Sequence, residues 1–168
     1  MYFTFFEEKM INLAFLKVLK KIHSRLSKTN INWAVTGTLG FALQGIPIKP
    51  NDIDIQTDEA GAYKIEKLFS KFVVKKVTFS KAENIRSHLG ELKIDGIKVE
   101  IMGDIQKRNT NGTWEPPVDL NQHKKMIEVE GMKVPVLSLE YEYQAYLKLG
   151  RKDKAGMLKK WLNSKNKS

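Results

Sequence analysis

Asp52 and Asp54 stand one residue apart in the run Asn51-Asp52-Ile53-Asp54-Ile55-Gln56-Thr57. Side chains of an extended strand alternate between faces, so this spacing sends both carboxylates to one face and Ile53 and Ile55 to the other. Two unscreened carboxylates about 4 Å apart repel by roughly 4 kcal/mol at an effective dielectric of about 20, and the pair needs a basic side chain, a shared proton or a hard cation. The first would make the pair structural, and the second would suit acid–base chemistry. The third, Mg²⁺ (or Mn²⁺), would suit phosphate chemistry, because such ions are held by a few carboxylates together with substrate phosphates.

The residues upstream favour the third choice. Positions 33–36 (WAVT) read as an apolar strand, Gly37-Thr38 as a turn and 39–44 as a short amphipathic segment, followed by a Gly/Pro-rich loop. A glycine turn that opens a helix presents backbone N–H groups and the positive end of a dipole to an anion, and Thr38 adds a hydroxyl. Residues 33–57 therefore offer a phosphate seat at Gly37 and Thr38 and a metal seat at Asp52 and Asp54.

A third acid follows from strand register. Asp95-Gly96 is a turn pair typical of a two-residue hairpin, so 85–94 and 97–102 should pair antiparallel. Ile97, Val99 and Ile101 then share one face, leaving Lys98 and Glu100 on the other. If this strand lies beside the aspartate strand, Glu100 joins Asp52 and Asp54, with Asp104 as the substitute should the register differ.

Gly37-Thr38, thirteen residues, then Asp52-Ile53-Asp54-Ile55 resembles the signature of the polymerase-beta-like nucleotidyltransferases, in which Gly precedes Gly or Ser and a spacer leads to Asp-apolar-Asp-apolar. Thr38 departs from Gly or Ser but keeps the hydroxyl that in the family touches the terminal phosphates. The family's third carboxylate, on a later strand, corresponds to Glu100. Residues 134–158 resemble, more loosely, the C-terminal helical part of small antibiotic-modifying (aminoglycoside or lincosamide) and minimal nucleotidyltransferases. On that resemblance Lys148 reaches toward substrate phosphates and Arg151 and Asp153 fix the helix junction, while Gly156 stands where the family often has an acid.

The resemblance implies transfer of a nucleoside monophosphate, AMP from ATP being expected, to a hydroxyl acceptor with release of pyrophosphate. Asp52, Asp54 and Glu100 would be the catalytic metal ligands, and Gly37, Thr38 and Lys148 would contact the nucleotide. Two alternatives stand beside this reading. Thr38 and Gly156 give weight to a non-catalytic or regulatory nucleotide-binding module of toxin/antitoxin type. The charge balance alone suggests an RNA-end-modifying nucleotidyltransferase.

The elements that must hold these residues form a mixed α/β (α+β) fold. Strands alternate with helices early and form hairpins later, which argues for a small twisted sheet with parallel and antiparallel strands, helices mainly on one face and a C-terminal helical pair. One domain over 1–168 is expected: an N-terminal helix within 1–28, a sheet core over 31–136 and C-terminal helices over 138–162. The first helix should span 5–27, with Ile11, Phe15, Val18, Leu19, Ile22 and Leu26 on its apolar face. A second, over 58–71, should be capped by Asp58 and bury Ala62, Ile65, Leu68 and Phe69. Strands are expected over 72–79, 125–129 and 132–136. Residues 103–117 read as a polar loop with Trp114 capping the core, and His123 as a surface residue.

The chain carries 29 Lys and Arg against 19 Asp and Glu, a net charge of +10, which favours a polyanionic ligand such as a nucleoside triphosphate or RNA. It has no cysteine, which excludes thiol nucleophiles and Cys-ligated zinc and fits a reducing cytoplasm. Glu7, Glu8 and Lys9 interrupt the apolar N-terminal run before it reaches membrane-spanning length.

Overall fold

The computed structural model describes residues 11–166. Its centre is a seven-stranded mixed sheet of β1 (Trp33–Thr36), β2 (Ile53–Thr57), β3 (Val73–Lys81), β4 (Ile85–Ile94), β5 (Ile97–Lys107), β6 (Lys124–Val129) and β7 (Met132–Leu137), in the order β3-β4-β5-β2-β1-β7-β6. Neighbours run antiparallel except β2 with β5 and β1 with β7, which are parallel.

Two amphipathic helices, α1 (Leu13–Leu26) and α3 (Glu59–Leu68), pack on one face of this sheet, where their apolar residues join Val35, Ile53, Ile55, Val99 and Ile101 in one core. Asn12 caps α1, accepting from Ala14 N at 2.9 Å, and Asp58 caps α3, accepting from Gly61 N at 2.7 Å. A short helix, α2 (Gly37–Leu43), follows β1 directly. The C-terminal pair, α4 (Leu139–Lys148) and α5 (Lys152–Asn166), closes a second apolar cluster with Phe41 and Ile46. Among the described residues no helix is long and apolar enough to cross a membrane.

Several local expectations shift. The first helix starts at Leu13 behind its Asn12 cap, and the part expected over 5–10 lies outside the described residues. Phe15 is half-buried and packs against the core as expected, with Leu16 fully buried as well, and Leu68 is left exposed where α3 ends, before a 3-10 turn at Ser70–Phe72. Trp114 does not cap the core. It pairs by a backbone bridge with Arg108 and sits beneath the Arg86 guanidinium, 4.5 Å from the ring centre. His123 is stacked on Tyr141 with ring centres 4.1 Å apart.

The largest difference is β5, which runs to Lys107 where a loop was expected from 103. Gly103 faces His88 while Gln106 faces Arg86, so β5 uses one residue more than β4 over the same interval. Asp104 takes a φ of +50° at this bulge. A bulge reverses the alternation of faces beyond it. Glu100 and Met102 face the side of the sheet opposite α1 and α3, and after the bulge Ile105 and Lys107 do so.

Ile101, fully buried on the β5 face opposite Glu100, tests this two-faced arrangement. Ile101→Ala should lower unfolding free energy by about 2–5 kcal/mol in urea titration, through lost burial and an uncollapsed cavity. A loss below about 1 kcal/mol would mean that this face is not the core.

Candidate functional site

Asp54 on β2 and Glu100 on β5 are direct register partners across the parallel pair, and Asp52 immediately precedes β2. One carboxylate oxygen from each of Asp52, Asp54 and Glu100 lies within 4.8 Å of the other two. On the reverse face Ile53, Val99 and Ile101 are 0% exposed, so the acids cannot withdraw without exposing core. Burial, then repulsion from Asp52 and Glu100, pushes the Asp54 carboxyl up to about 7. Glu100 draws Lys98 to 3.5 Å, and that contact raises the lysine's pKa. Three half-buried carboxylates this close form a hard oxygen donor set that suits Mg²⁺ or Mn²⁺. Asp104 is elsewhere, beside Asp58, Glu59 and His88.

The Gly37 turn abuts these acids. Gly37 has a φ of +69°, and a Cβ placed on it would stand 2.5 Å from Asp54 Oδ2, so both conformation and space call for glycine. Its N–H donates to Glu142 Oε2 on α4 at 3.2 Å, and Thr36 Oγ1 donates to Glu142 Oε1. Gln56 Nε2 donates to Thr36 Oγ1 at 3.3 Å, tying β2 into the same network. Burial raises Glu142 to about 7, against these hydrogen bonds and the nearby Lys154 and Lys107.

A cavity of about 420 Å³ opens over the acids. Its floor is Thr36, Gly37, Asp54, Gln56 and Glu100, and α4 and α5 form the facing wall with Tyr141, Glu142, Tyr146, Arg151 and Lys154. Lys107 enters from β5, only 6% exposed, and donates to Tyr141 Oη at 3.1 Å; burial lowers its pKa. Lys148 is not brought to this cavity. It donates to Asn109 Oδ1 at 2.6 Å, pairs with Glu115, and borders an adjoining cavity that shares Lys107 and Tyr141. The cations that line this cavity with the acids are thus Lys107, Arg151 and Lys154, while Lys98 flanks Glu100 from outside it.

Gln56 was within reach of sequence reasoning, since it follows Asp54 by two on the same strand. Lys107 was not, because the bulge that turns it inward is invisible to a period-two pattern. Glu142 looks in sequence like an acid favouring a helix N-terminus, and nothing local points it at Gly37.

A carboxyl whose pKa is raised by folding takes up protons on folding, so its contribution to stability is fully present below about pH 4 and is lost as pH rises through about 7. In EDTA, Asp54→Asn should therefore melt higher than the wild type at pH 8, with the gap shrinking toward pH 4. Mn²⁺ should raise the melting temperature of the wild type and not of the variant. Equal melts at every pH would show that the acids do not strain the metal-free fold.

The family model of the aminoglycoside-2″-adenylyltransferases matches residues 18–158. No curated protein matches the chain. Among solved structures, TM1012 from Thermotoga maritima, provisionally described as a nucleotidyltransferase, is 66% identical and superposes with a TM-score of 0.82 over 92% of this chain and 96% of that one. The lincosamide antibiotic adenylyltransferase LnuA, bound to lincomycin, shares the fold at 19% identity, with a TM-score of 0.56 over 85% of this chain and 95% of its own. ANT(2″)-Ia, in complex with adenylyl-2″-tobramycin, does so at 11% identity, with a TM-score of 0.62 over 91% and 92%. The chain belongs to the aminoglycoside-2″-adenylyltransferase family of nucleotidyltransferases.

Proposed function

We propose that the protein transfers AMP from ATP to a hydroxyl of a small acceptor and releases pyrophosphate. The observation that carries this reading is the convergence of Asp52, Asp54 and Glu100 beside the Gly37 turn. The acceptor oxygen forms a bond to the α-phosphorus, the bond to the β-phosphate oxygen breaks, and the acceptor's proton passes to a carboxylate of the cluster. Asp52 and Asp54 would hold Mg²⁺ or Mn²⁺, and Glu100 would complete the ligand set or take the proton. Bound there, the ion would offset the negative charge that builds on the phosphates. Thr38 and the first turn of α2 receive the leaving phosphates, assisted by Lys107, Arg151 and Lys154, whose positive charge complements a triphosphate. Lys148, which lies away from the acids, is assigned to the acceptor side. A nucleoside triphosphate donor places the reaction in the cytoplasm, and the chain is taken to act as one domain.

A regulatory, non-catalytic nucleotide site draws support from one observation: Glu142 already occupies the Gly37 N–H. Binding without turnover would favour it. An RNA-end acceptor draws support from a groove lined by Lys75, Lys76 and Lys98 that adjoins Glu100, and predicts activity that falls steeply with salt.

Pyrophosphate release from ATP across a panel of hydroxyl acceptors tests the main reading. Glu100→Gln should lower turnover by at least about 100-fold, while the melting temperature stays within a few degrees, because a half-exposed acid-to-amide change costs little stability. Full turnover in Glu100→Gln would remove it from the catalytic set.

A further inference from the structure

Glu142 is an unusual residue to bury. It is 3% exposed, and it lies a hundred residues along the chain from the turn it contacts. Its oxygens are spent on the β1–α2 junction, one accepting from Thr36 Oγ1 and the other from the Gly37 N–H. Among the described residues no ion pair is formed with it, although Lys154 and Lys107 are close enough to favour its charge. Removing a carboxylate from water costs several kcal/mol unless well paired, and a contact needed only for folding is commonly served as well by apolar packing. What Glu142 grips is the turn packed directly against the Asp54 carboxylate, since a Cβ on Gly37 would stand 2.5 Å from Asp54 Oδ2, which leaves no room for a methyl group. The same side chain sits on α4, the helix that carries Tyr141 and Tyr146 into the cavity wall.

We propose that Glu142 is a positioning residue for the nucleotide: by clamping the Thr36–Gly37 junction to α4 it fixes the distance between the phosphate-receiving turn, the carboxylate cluster and the cationic wall. The proposal rests on the nucleotidyltransferase reading above. In this arrangement Glu142 touches neither metal nor reacting atoms. It acts through Gly37, so its loss loosens the seat of the phosphates while leaving the three acids on their strands.

Three variants separate positioning from simple stability. Glu142→Ala deletes both acceptors. Glu142→Gln keeps an oxygen for Gly37 N–H and offers an amide to Thr36 Oγ1. Ser138→Ala removes the cap of α4, whose Oγ accepts from Tyr141 N at 3.2 Å, and leaves the clamp in place. Exchange of the Gly37 amide, followed by NMR, should quicken by about tenfold or more in Glu142→Ala and change little in the other two. The KM for ATP should rise about tenfold or more in Glu142→Ala, be largely restored in Glu142→Gln, and stay level in Ser138→Ala despite its lower melting temperature. Mn²⁺ affinity without nucleotide should hold within about twofold in all three.

Unchanged Gly37 exchange or an unchanged KM in Glu142→Ala overturns the proposal, as does a Mn²⁺ affinity that collapses with it. A wild-type protein that turns over no nucleotide sinks the nucleotidyltransferase reading instead, and is told apart because Gly37 exchange still reports on the clamp.

Discussion

Repulsion among three carboxylates held on neighbouring strands governs this structure. At about 4 Å each like-charged contact costs roughly 4 kcal/mol at an effective dielectric of 20, and Asp52, Asp54 and Glu100 come within that kind of range of one another. They stay together because their strands have nowhere else to go. The residues alternating with them, Ile53, Val99 and Ile101, fill the core against α1 and α3, and each contributes about 1.5–3 kcal/mol by leaving water. A one-residue slip of either strand would drive acids into that core and isoleucines into solvent. The apolar face thus holds the strain of the polar one, and part of that strain is relieved by Lys98 beside Glu100 and, below about pH 7, by proton uptake at Asp54.

Beyond Lys98, the positive charge that lines the cavity with these acids arrives from distant parts of the chain. Lys107 reaches the cavity because the Asp104 bulge reverses which face of β5 it occupies, and Arg151 and Lys154 arrive on the start of α5 and the turn before it. Bulges are a recurrent means of re-aiming a side chain without abandoning strand pairing. Here a residue with a φ of +50° lets the strand that presents Glu100 also turn Lys107 into the same cavity. Glu100 and Lys107 thereby stand several residues apart on one rigid element and line one cavity.

The β1–α2 junction is where backbone and charge meet most closely. Gly37 is required by its φ and by the approach of Asp54, and the buried Glu142 carboxylate takes up its N–H. Gln56 joins through Thr36, so β1, β2 and α4 share one hydrogen-bonded knot beneath the cavity. Low polarity around such a knot strengthens each bond and penalises any partner left unmatched, which makes it a fixed floor for whatever the cavity receives.

By itself the sequence determined what can be read from short periods and local chemistry. The two faces of β2 and β5, the Asp95-Gly96 turn with φ values of +50° and +80°, the caps at Asp58 and Ser138, and the helical C-terminal pair all follow from alternation, turn preference and side-chain acceptors within a few residues. The acid cluster was legible for the same reason: alternation already put Asp52, Asp54 and Glu100 on polar faces, and only the adjacency of two strands remained open. Tertiary structure decided that adjacency by pairing β2 with β5 in parallel. It also decided which cation enters the cavity, because the β5 bulge selects Lys107 and a surface pairing with Asn109 and Glu115 draws Lys148 away. Glu142 belongs wholly to this second class. A hydrogen bond across a hundred residues leaves no periodic trace in the chain, since it depends on where α4 docks and not on what surrounds it in sequence.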